Sequence, residues 1–391
     1  MKRVIFYATW LTSSLVYGQN PETVYPITQE RKENDWYATQ QKVWKEKVES
    51  NATDGVAWTN YYTATRCLRF LARENNSPSK EALNEECGAI VTKLKLKKPG
   101  SFEAYYLDYW NNGSFFNASS LQSAYNANPK DTRTYQDLMV HYYLLGNKEA
   151  YKEFALRIYN CNVMSPIMLN WAYNVSVEIE KNGIVLTQGD NDTYALLTIL
   201  AVRDRLDVSV VNTTMYLSDA YQDTILKQIG YKKVAFTKDK SSFTSDAYAE
   251  FCLKHLLEGK RPVYLDCNSD QANLWDNANP LASFASKFYL YGLTYKYSEV
   301  AFDNIGVIRK NYENYYLLDN ITYSWSHHYT DAVAKNQFYA YAPSMLKLYL
   351  HYQQCEEFEK ADKLKKLIAI VDFNKVIEPL QIKAGQNIPK K

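Results

Sequence analysis

Glycine is scarce, with 13 residues in a chain of 391. That argues against Gly-rich barrels and propellers. No charge of one sign dominates. Lys and Arg number 45 against 43 Asp and Glu, so nothing electrostatic points to nucleic acid. No run beyond the first residues reaches the roughly 20 apolar positions of a membrane-spanning helix. The six cysteines (Cys67, Cys87, Cys161, Cys252, Cys267, Cys355) are dispersed and lack the C-x-x-C spacing of zinc or thioredoxin-like sites. The chain is too long for a disulfide-stapled mini-domain. In an oxidising compartment Cys67 and Cys87 could pair between neighbouring helices, or both could stay as buried free thiols. The histidines form no H-x-x-x-H pair. His327 and His328, near Ser324, Trp325, Ser326 and Tyr329, suit either a ligand-contact loop or ordinary aromatic packing, and proximity alone makes no triad.

What the chain has in quantity is tyrosine, 35 residues. With 46% hydrophobic and 23% charged residues a sizeable core is expected, and the length allows two or three domains. Residues 1–18 read as a secretory signal peptide: Lys2 and Arg3, an apolar stretch from Val4 to Val16, then Val16-Tyr17-Gly18 before Gln19. About 13 apolar positions, interrupted by Thr12, Ser13 and Ser14, are too few to span a bilayer. No cysteine follows the expected cut, which argues against a lipid anchor there. The expectation is an exported protein, periplasmic, outer-membrane associated or extracellular, with no membrane span after cleavage. Loss of Lys2 and Arg3 takes the basic side chains to 43, equal to the acidic ones.

Helical spacing marks residues 35–162: Trp36, Gln40, Val43 and Trp44, then Trp58, Tyr61, Tyr62, Thr65 and Leu68. The clearest unit is 124–160. There Asn128-Pro129-Lys130-Asp131 joins two helices, Leu138, Tyr142 and Leu145 line the second, Gly146-Asn147 turns, and Tyr151, Ala155 and Ile158 line a third. This resembles tetratricopeptide-type repeats, which stack and leave a concave surface; an irregular bundle would carry the same punctuation. Beyond residue 182, apolar β-branched runs (183–187, 207–211, 262–265) alternate with helical pattern at 193–203 and 219–229, as βαβ units do. Lys233–Thr237 reads as an edge strand, and 282–297 and 328–368 as helical. The fold class is therefore mixed: tetratricopeptide-like α-helical repeats, a small α/β domain with a mostly parallel sheet, and further C-terminal helices. The expected boundaries are 1–18 signal peptide, 30–165 helical repeats, 166–325 α/β domain, 326–371 helical hairpin and 372–391 irregular tail.

The sharpest local feature is 183–212, "GIVLTQGDNDTYALLTILAVRDRLDVSVVN". A strand runs into Gln188-Gly189-Asp190-Asn191-Asp192-Thr193 and then a helix. Gly189 gives the turn backbone freedom, and Asp190 or Asp192 can cap the helix. Parallel sheets gather their strand ends on one edge, where ligands bind. Asp190, Asn191, Asp192, Thr193, Asn212 and Asp266 are the candidate ligand-binding residues, with Asn268 close behind. Their oxygens suit a divalent cation such as Ca²⁺ or Mg²⁺, with Asp190 and Asp192 as candidate ligands, or a sugar or peptide. The same residues also serve as plain helix caps and strand ends. The loop is neither a dinucleotide fingerprint, a P-loop nor an EF-hand. Sequons occur at Asn51, Asn112, Asn117, Asn174, Asn191, Asn212 and Asn320.

The stretch "GIVLTQGDNDTY" followed by "RLDVSVVNTTMY" resembles the soluble C-terminal region of a large family of bacterial membrane proteins. The family is abundant in the Bacteroidetes and related to protein O-mannosyltransferases. Gly189, Asp190, Asn191, Asp192, Thr193, Arg205, Asp207, Val208 and Asn212 match its pattern, and "YLYGLTYKY" at 289–297 is similar to another of its segments. The resemblance covers about residues 165–350. Sugar transfer in that family is expected of a multi-helix membrane portion with no counterpart in these 391 residues, so the resemblance does not imply transferase activity. No nucleophile–base pair is legible, so no catalytic residue is assigned and a non-enzymatic role comes first. The leading expectation is an envelope interaction or assembly module whose partner is an envelope or secretion-machinery protein or a glycan-bearing one. The alternative is a binder or hydrolase of a small molecule or glycan using the Gly-Asp-Asn-Asp loop, with metal dependence.

Overall fold

A computed structural model describes residues 20–72, 78–232, 254–267, 282–323 and 327–371. The signal peptide, the tail from 372, the expected edge strand at 233–237, Asn268, Cys252, Ser324, Trp325 and Ser326 lie outside the described residues. The chain forms two compact units. One holds Lys32–Pro99 with the segment up to Pro26, and the other holds Gly100 onward with Ile27–Arg31.

The first unit is three helices, α1 (Asn34–Ser50), α2 (Gly55–Leu71) and α3 (Lys80–Lys97), each packed on the next. Asp54 and Ser79 cap α2 and α3 by accepting the amides of Ala57 and Ala82. The expected stripe on α2 is buried throughout. On α1 the buried face is Tyr37, Gln40, Trp44 and Val48, one position on from the expected Trp36 and Val43. Asn60 and Gln40 hold the extended N-terminal segment by accepting the amides of Val24 (2.7 Å) and Glu22 (2.9 Å). Cys67 and Cys87 are buried and not joined in a disulfide, and burial pushes the Cys87 thiol up to about 11.

The second unit begins with α4 (Phe102–Asn112), α5 (Ser119–Ala127), α6 (Tyr135–Leu144), α7 (Lys148–Asn160) and α8 (Pro166–Glu178). The Asn128–Asp131 turn closes α5, and Asp131 accepts the Arg133 amide to open the next helical turn. Gly146, at φ +68°, turns the chain into α7, whose cap is Asn147. Leu138, Tyr151, Ala155 and Ile158 are buried as expected, while Leu145, just past the end of α6, is 60% exposed. Tyr125, Tyr135, Tyr142 and Phe154 form one aromatic cluster.

The sheet follows: β1 (Ile184–Thr187), β2 (Ser209–Asn212), β3 (Val263–Asp266), β4 (Phe288–Leu290) and β5 (Thr294–Tyr297), in the order β2-β1-β3-β5-β4. The three strands read from sequence are parallel. The other two are antiparallel, so the sheet is mixed. They fall where sequence suggested helix. The aromatic and β-branched alternation through Tyr289, Tyr291, Thr294, Tyr295 and Tyr297 prevails there, around Gly292 at φ +152°. Helix α9 (Asp190–Val202) connects β1 to β2, and α10 (Asp219–Ile229) follows β2, ending at Gly230 in the left-handed region. Helices α11 (Asn304–Asn314), α12 (Ala342–Gln354) and α13 (Phe358–Val371) complete the unit, with α12 and α13 packed together. Among the described residues no helix is long and apolar enough to cross a membrane.

The C-terminal elements gather on α8. Glu178 is buried and accepts hydrogen bonds from the Leu293 amide (2.6 Å), the Thr294 amide (3.1 Å), the Thr294 hydroxyl (2.6 Å) and the Tyr316 hydroxyl. A Cβ on Gly292 would fall 2.6 Å from Glu178 Oε1, so this turn needs glycine for space as well as for φ. One turn earlier, Asn174 brackets Leu317, accepting its amide (2.8 Å) and donating to its carbonyl (2.9 Å), and also donates to the Tyr341 hydroxyl.

Burial raises the Glu178 carboxyl, and its hydrogen bonds pull it down. Burial wins, leaving it at about 7. The folded value lies above the ordinary 4.5, so the fold favours the protonated form. Its contribution is full below 4.5 and is lost as pH rises through about 7. Glu178→Gln should abolish this slope in denaturant unfolding measured between about pH 5 and about pH 8. Glu178→Ala, which strands the Leu293 and Thr294 donors, should cost about 3–5 kcal/mol. A difference between wild type and the Gln variant that stays constant across that range would contradict the assignment.

Candidate functional site

Strand β1 is central, with β2 on one side and β3 on the other. The crossovers therefore diverge at the carboxyl end of β1, the place where open α/β sheets bind ligands. Four of the six candidate residues come together there. Thr193 Oγ1 donates to the Gly189 carbonyl (2.7 Å), lies 2.7 Å from the Thr187 hydroxyl and accepts from Asn212 Nδ2 (3.0 Å). Asn212 also accepts the Met215 amide (3.0 Å) and donates its own amide to the Tyr221 hydroxyl (2.8 Å). The ends of β1 and β2 are thus fastened to the first turn of α9.

Asp192, third residue of α9, reaches back to the backbone amide of Gly189, the return half of a capping box. It also accepts from Gln337 and hydrogen-bonds to Asp266 at the end of β3. Both aspartates are buried. Two carboxyl groups can share a hydrogen bond only when one holds a proton. The direction at Asp192 agrees: burial raises its carboxyl, the bonds from Gln337, Asp266 and Gly189 oppose this, and the charge of Asp190 adds to the rise. Asp190 is exposed on the first turn, and Asn191 is half-buried, donating to the Thr28 carbonyl at 3.1 Å. Beside them lies a cavity of about 30 Å³, room for about one water. Gly189 has an extended backbone at φ −101°, so the turn does not draw on the left-handed freedom expected of it.

Arg205 and Asp207, also matched in the motif, stand at the opposite edge. Arg205 donates to the carbonyls of Ile179 (3.0 Å) and Glu180 (3.3 Å), closing the end of α8, and pairs with Asp207. Asp207 accepts the Asn182 amide at 2.8 Å. Burial raises the Asp207 carboxyl, but Arg205 and that amide hold it below the usual range. The Arg-x-Asp element therefore clamps the α8–β1 turn to the start of β2. His328 is buried, donating from Nε2 to the Asn162 carbonyl (3.0 Å) and accepting the Thr330 amide on Nδ1 (3.2 Å), which fits the packing alternative. Sequons Asn174, Asn212 and Asn320 are buried in the fold.

Two features were not read from sequence. At the amino edge of the sheet, a cleft of about 580 Å³ opens between the α6–α7 hairpin and the strand starts, walled by Tyr142, Tyr143, Lys148, Asp207 and Arg261. Tyr143 is anchored by two bonds to the Val210 backbone, and the Tyr151 hydroxyl donates to the Leu197 carbonyl at 2.6 Å. Only assembly of the hairpin against the sheet creates this space. At the end of α12, His351, Cys355 and Glu357 form a group that could hold a metal ion, with ligand atoms within 4.8 Å of one another. The signal for it was H-x-x-x-C, which a search for paired histidines or paired cysteines passes over. No protein-family model, curated protein or solved structure matches this chain.

Asp266→Asn supplies a permanent amide donor in place of the shared proton. The raised folded-state carboxyl at Asp192 favours the wild type most at acid pH, and that advantage is lost as pH rises. Denaturation should therefore show the Asn variant gaining on wild type between about pH 5 and about pH 8, while Asp266→Ala costs about 1–3 kcal/mol throughout. Parallel pH profiles for wild type and the Asn variant would exclude a proton shared by the pair.

Proposed function

We propose that this chain is an exported cell-envelope protein that acts as a protein–protein interaction or assembly module. The observation that carries the reading is the cleft between the α6–α7 hairpin and the sheet. It is walled by half-buried Tyr142 and Tyr143, with Lys148 and Arg261 beside them. Tyrosines held in place by their own hydrogen bonds offer large amphipathic area at small entropic cost, which is how aromatic recognition surfaces work. The partner is an envelope or secretion-machinery protein, or a glycan-bearing one, that inserts a segment there. The tetratricopeptide-like punctuation and the Bacteroidetes-family resemblance belong to the same reading.

Two measurements test it. Mass analysis of the protein from its native envelope should give a mature chain starting at Gln19. A cytosolic chain retaining Met1 would remove export. A photo-crosslinking residue at Lys148 should yield discrete adducts in the native envelope that Tyr142→Ala, which removes a wall of the cleft, abolishes. Adducts unchanged by that substitution would remove the cleft.

A second reading is favoured by the buried Asp192–Asp266 pair at the divergence point of the sheet. It makes the Gly-Asp-Asn-Asp loop the seat of small-molecule or glycan binding or hydrolysis, with a divalent cation beside exposed Asp190. Most oxygens of the group already bond protein donors, which ranks this reading second. Calorimetric titration with Ca²⁺ and Mg²⁺ that shows no saturable binding removes its metal-dependent form.

A further inference from the structure

We propose that His351, Cys355 and Glu357 bind a single zinc ion at the α12–α13 turn, with a fourth coordination position open to water. His351 and Cys355 stand four residues apart at the end of α12, so they share one helix face. Cys355 Sγ lies 3.8 Å from either imidazole nitrogen. Glu356 takes φ +60°, and that left-handed residue swings Glu357 back toward them. The three ligand atoms fall within 4.8 Å of one another. A tetrahedral zinc with ordinary Zn–S and Zn–N lengths needs edges of about 3.3–3.6 Å, within reach of small side-chain rotations. Thiolate, imidazole and carboxylate together suit zinc better than magnesium or calcium.

The electrostatic surroundings permit the ion. Glu357 accepts from Arg309 through both oxygens (2.6 and 2.9 Å), and its Oε2 also pairs with Lys360 (2.8 Å). Oε1 thus carries one of these bonds and keeps a lone pair. Glu313 balances the second cation, pairing with both Arg309 and Lys360. The quartet of two acids and two bases is neutral, so a Cys355 thiolate leaves the site anionic before the metal arrives. The site also lies at a helix carboxyl end, where the macrodipole favours a cation. Cys355 is exposed, so the ion has a way in.

Cobalt(II) titration of the reduced, metal-free full-length protein, read by absorption, tests the proposal. A thiolate-to-cobalt charge-transfer band should saturate at one equivalent and be displaced by zinc. Cys355→Ser should abolish the band. His351→Ala and Glu357→Gln should each weaken zinc binding by about tenfold or more, since even outer-sphere partners of a metal site cost that much. Cys161→Ser, which removes another exposed free thiol, should behave as wild type. Circular dichroism checks that each variant is folded. Absence of the band in wild type, its survival in Cys355→Ser, or unchanged zinc affinity in either of the other two ligand variants overturns the proposal.

Discussion

Glu178 is the residue around which the second unit is ordered. Its carboxyl gathers donors from the β4–β5 turn, from β5 and from Tyr316, just beyond α11. These groups are buried, and an unmade bond there would cost the full desolvation of its donor. The antiparallel hairpin therefore has one register against α8. Asn174 repeats the device one turn away for Leu317 and Tyr341. An apolar helix with two buried polar residues on one side thus specifies the position of elements more than 100 residues later in the chain.

The same logic accounts for the tyrosines. Helical spacing suggested aromatic stripes along the helices, and the α2 face and the cluster around Phe154 fit that picture. The phenol oxygen adds something a phenylalanine could not. Tyr151 reaches the Leu197 carbonyl, Tyr135 the Pro129 carbonyl and Tyr316 the Glu178 carboxylate. Each hydroxyl thereby finds an acceptor inside the fold, as a buried polar group requires.

Helical periodicity located most of the helices because each buries one face, though it passed over α11, and the three parallel strands showed as short apolar β-branched runs because they are buried almost throughout. It failed over 282–297, where hairpin formation depends on a distant carboxylate that no local window contains. The candidate site was legible in part. The strand-end rule gathered Thr193, Asn212, Asp192 and Asp266, since topology alone brings them to one edge. It could not reveal that Gln337 occupies Asp192, nor that Arg205 and Asp207 work at the other edge of the sheet. Those facts depend on side chains more than 100 residues away in the one case and on the direction of a strand in the other. Glu178 escaped notice because an isolated glutamate in a helix ordinarily signals solvent, and only the packed fold buries it.

Among the described residues strand β2 lies at the border of the sheet, and the amides of Val210 and Asn212 face away from β1. Tyr143 takes the first and Tyr221 the second, while Tyr143 also donates to the Val210 carbonyl. A border strand with free amides is a template onto which another chain can add a strand of its own. Here two phenols occupy the places a visiting backbone would need. The opposite border is β4, only three residues long. The sheet is in effect terminated, as a growing polymer is by an end group. Among the described residues, β2 therefore offers a partner its side chains rather than the backbone groups of Val210 and the amide of Asn212.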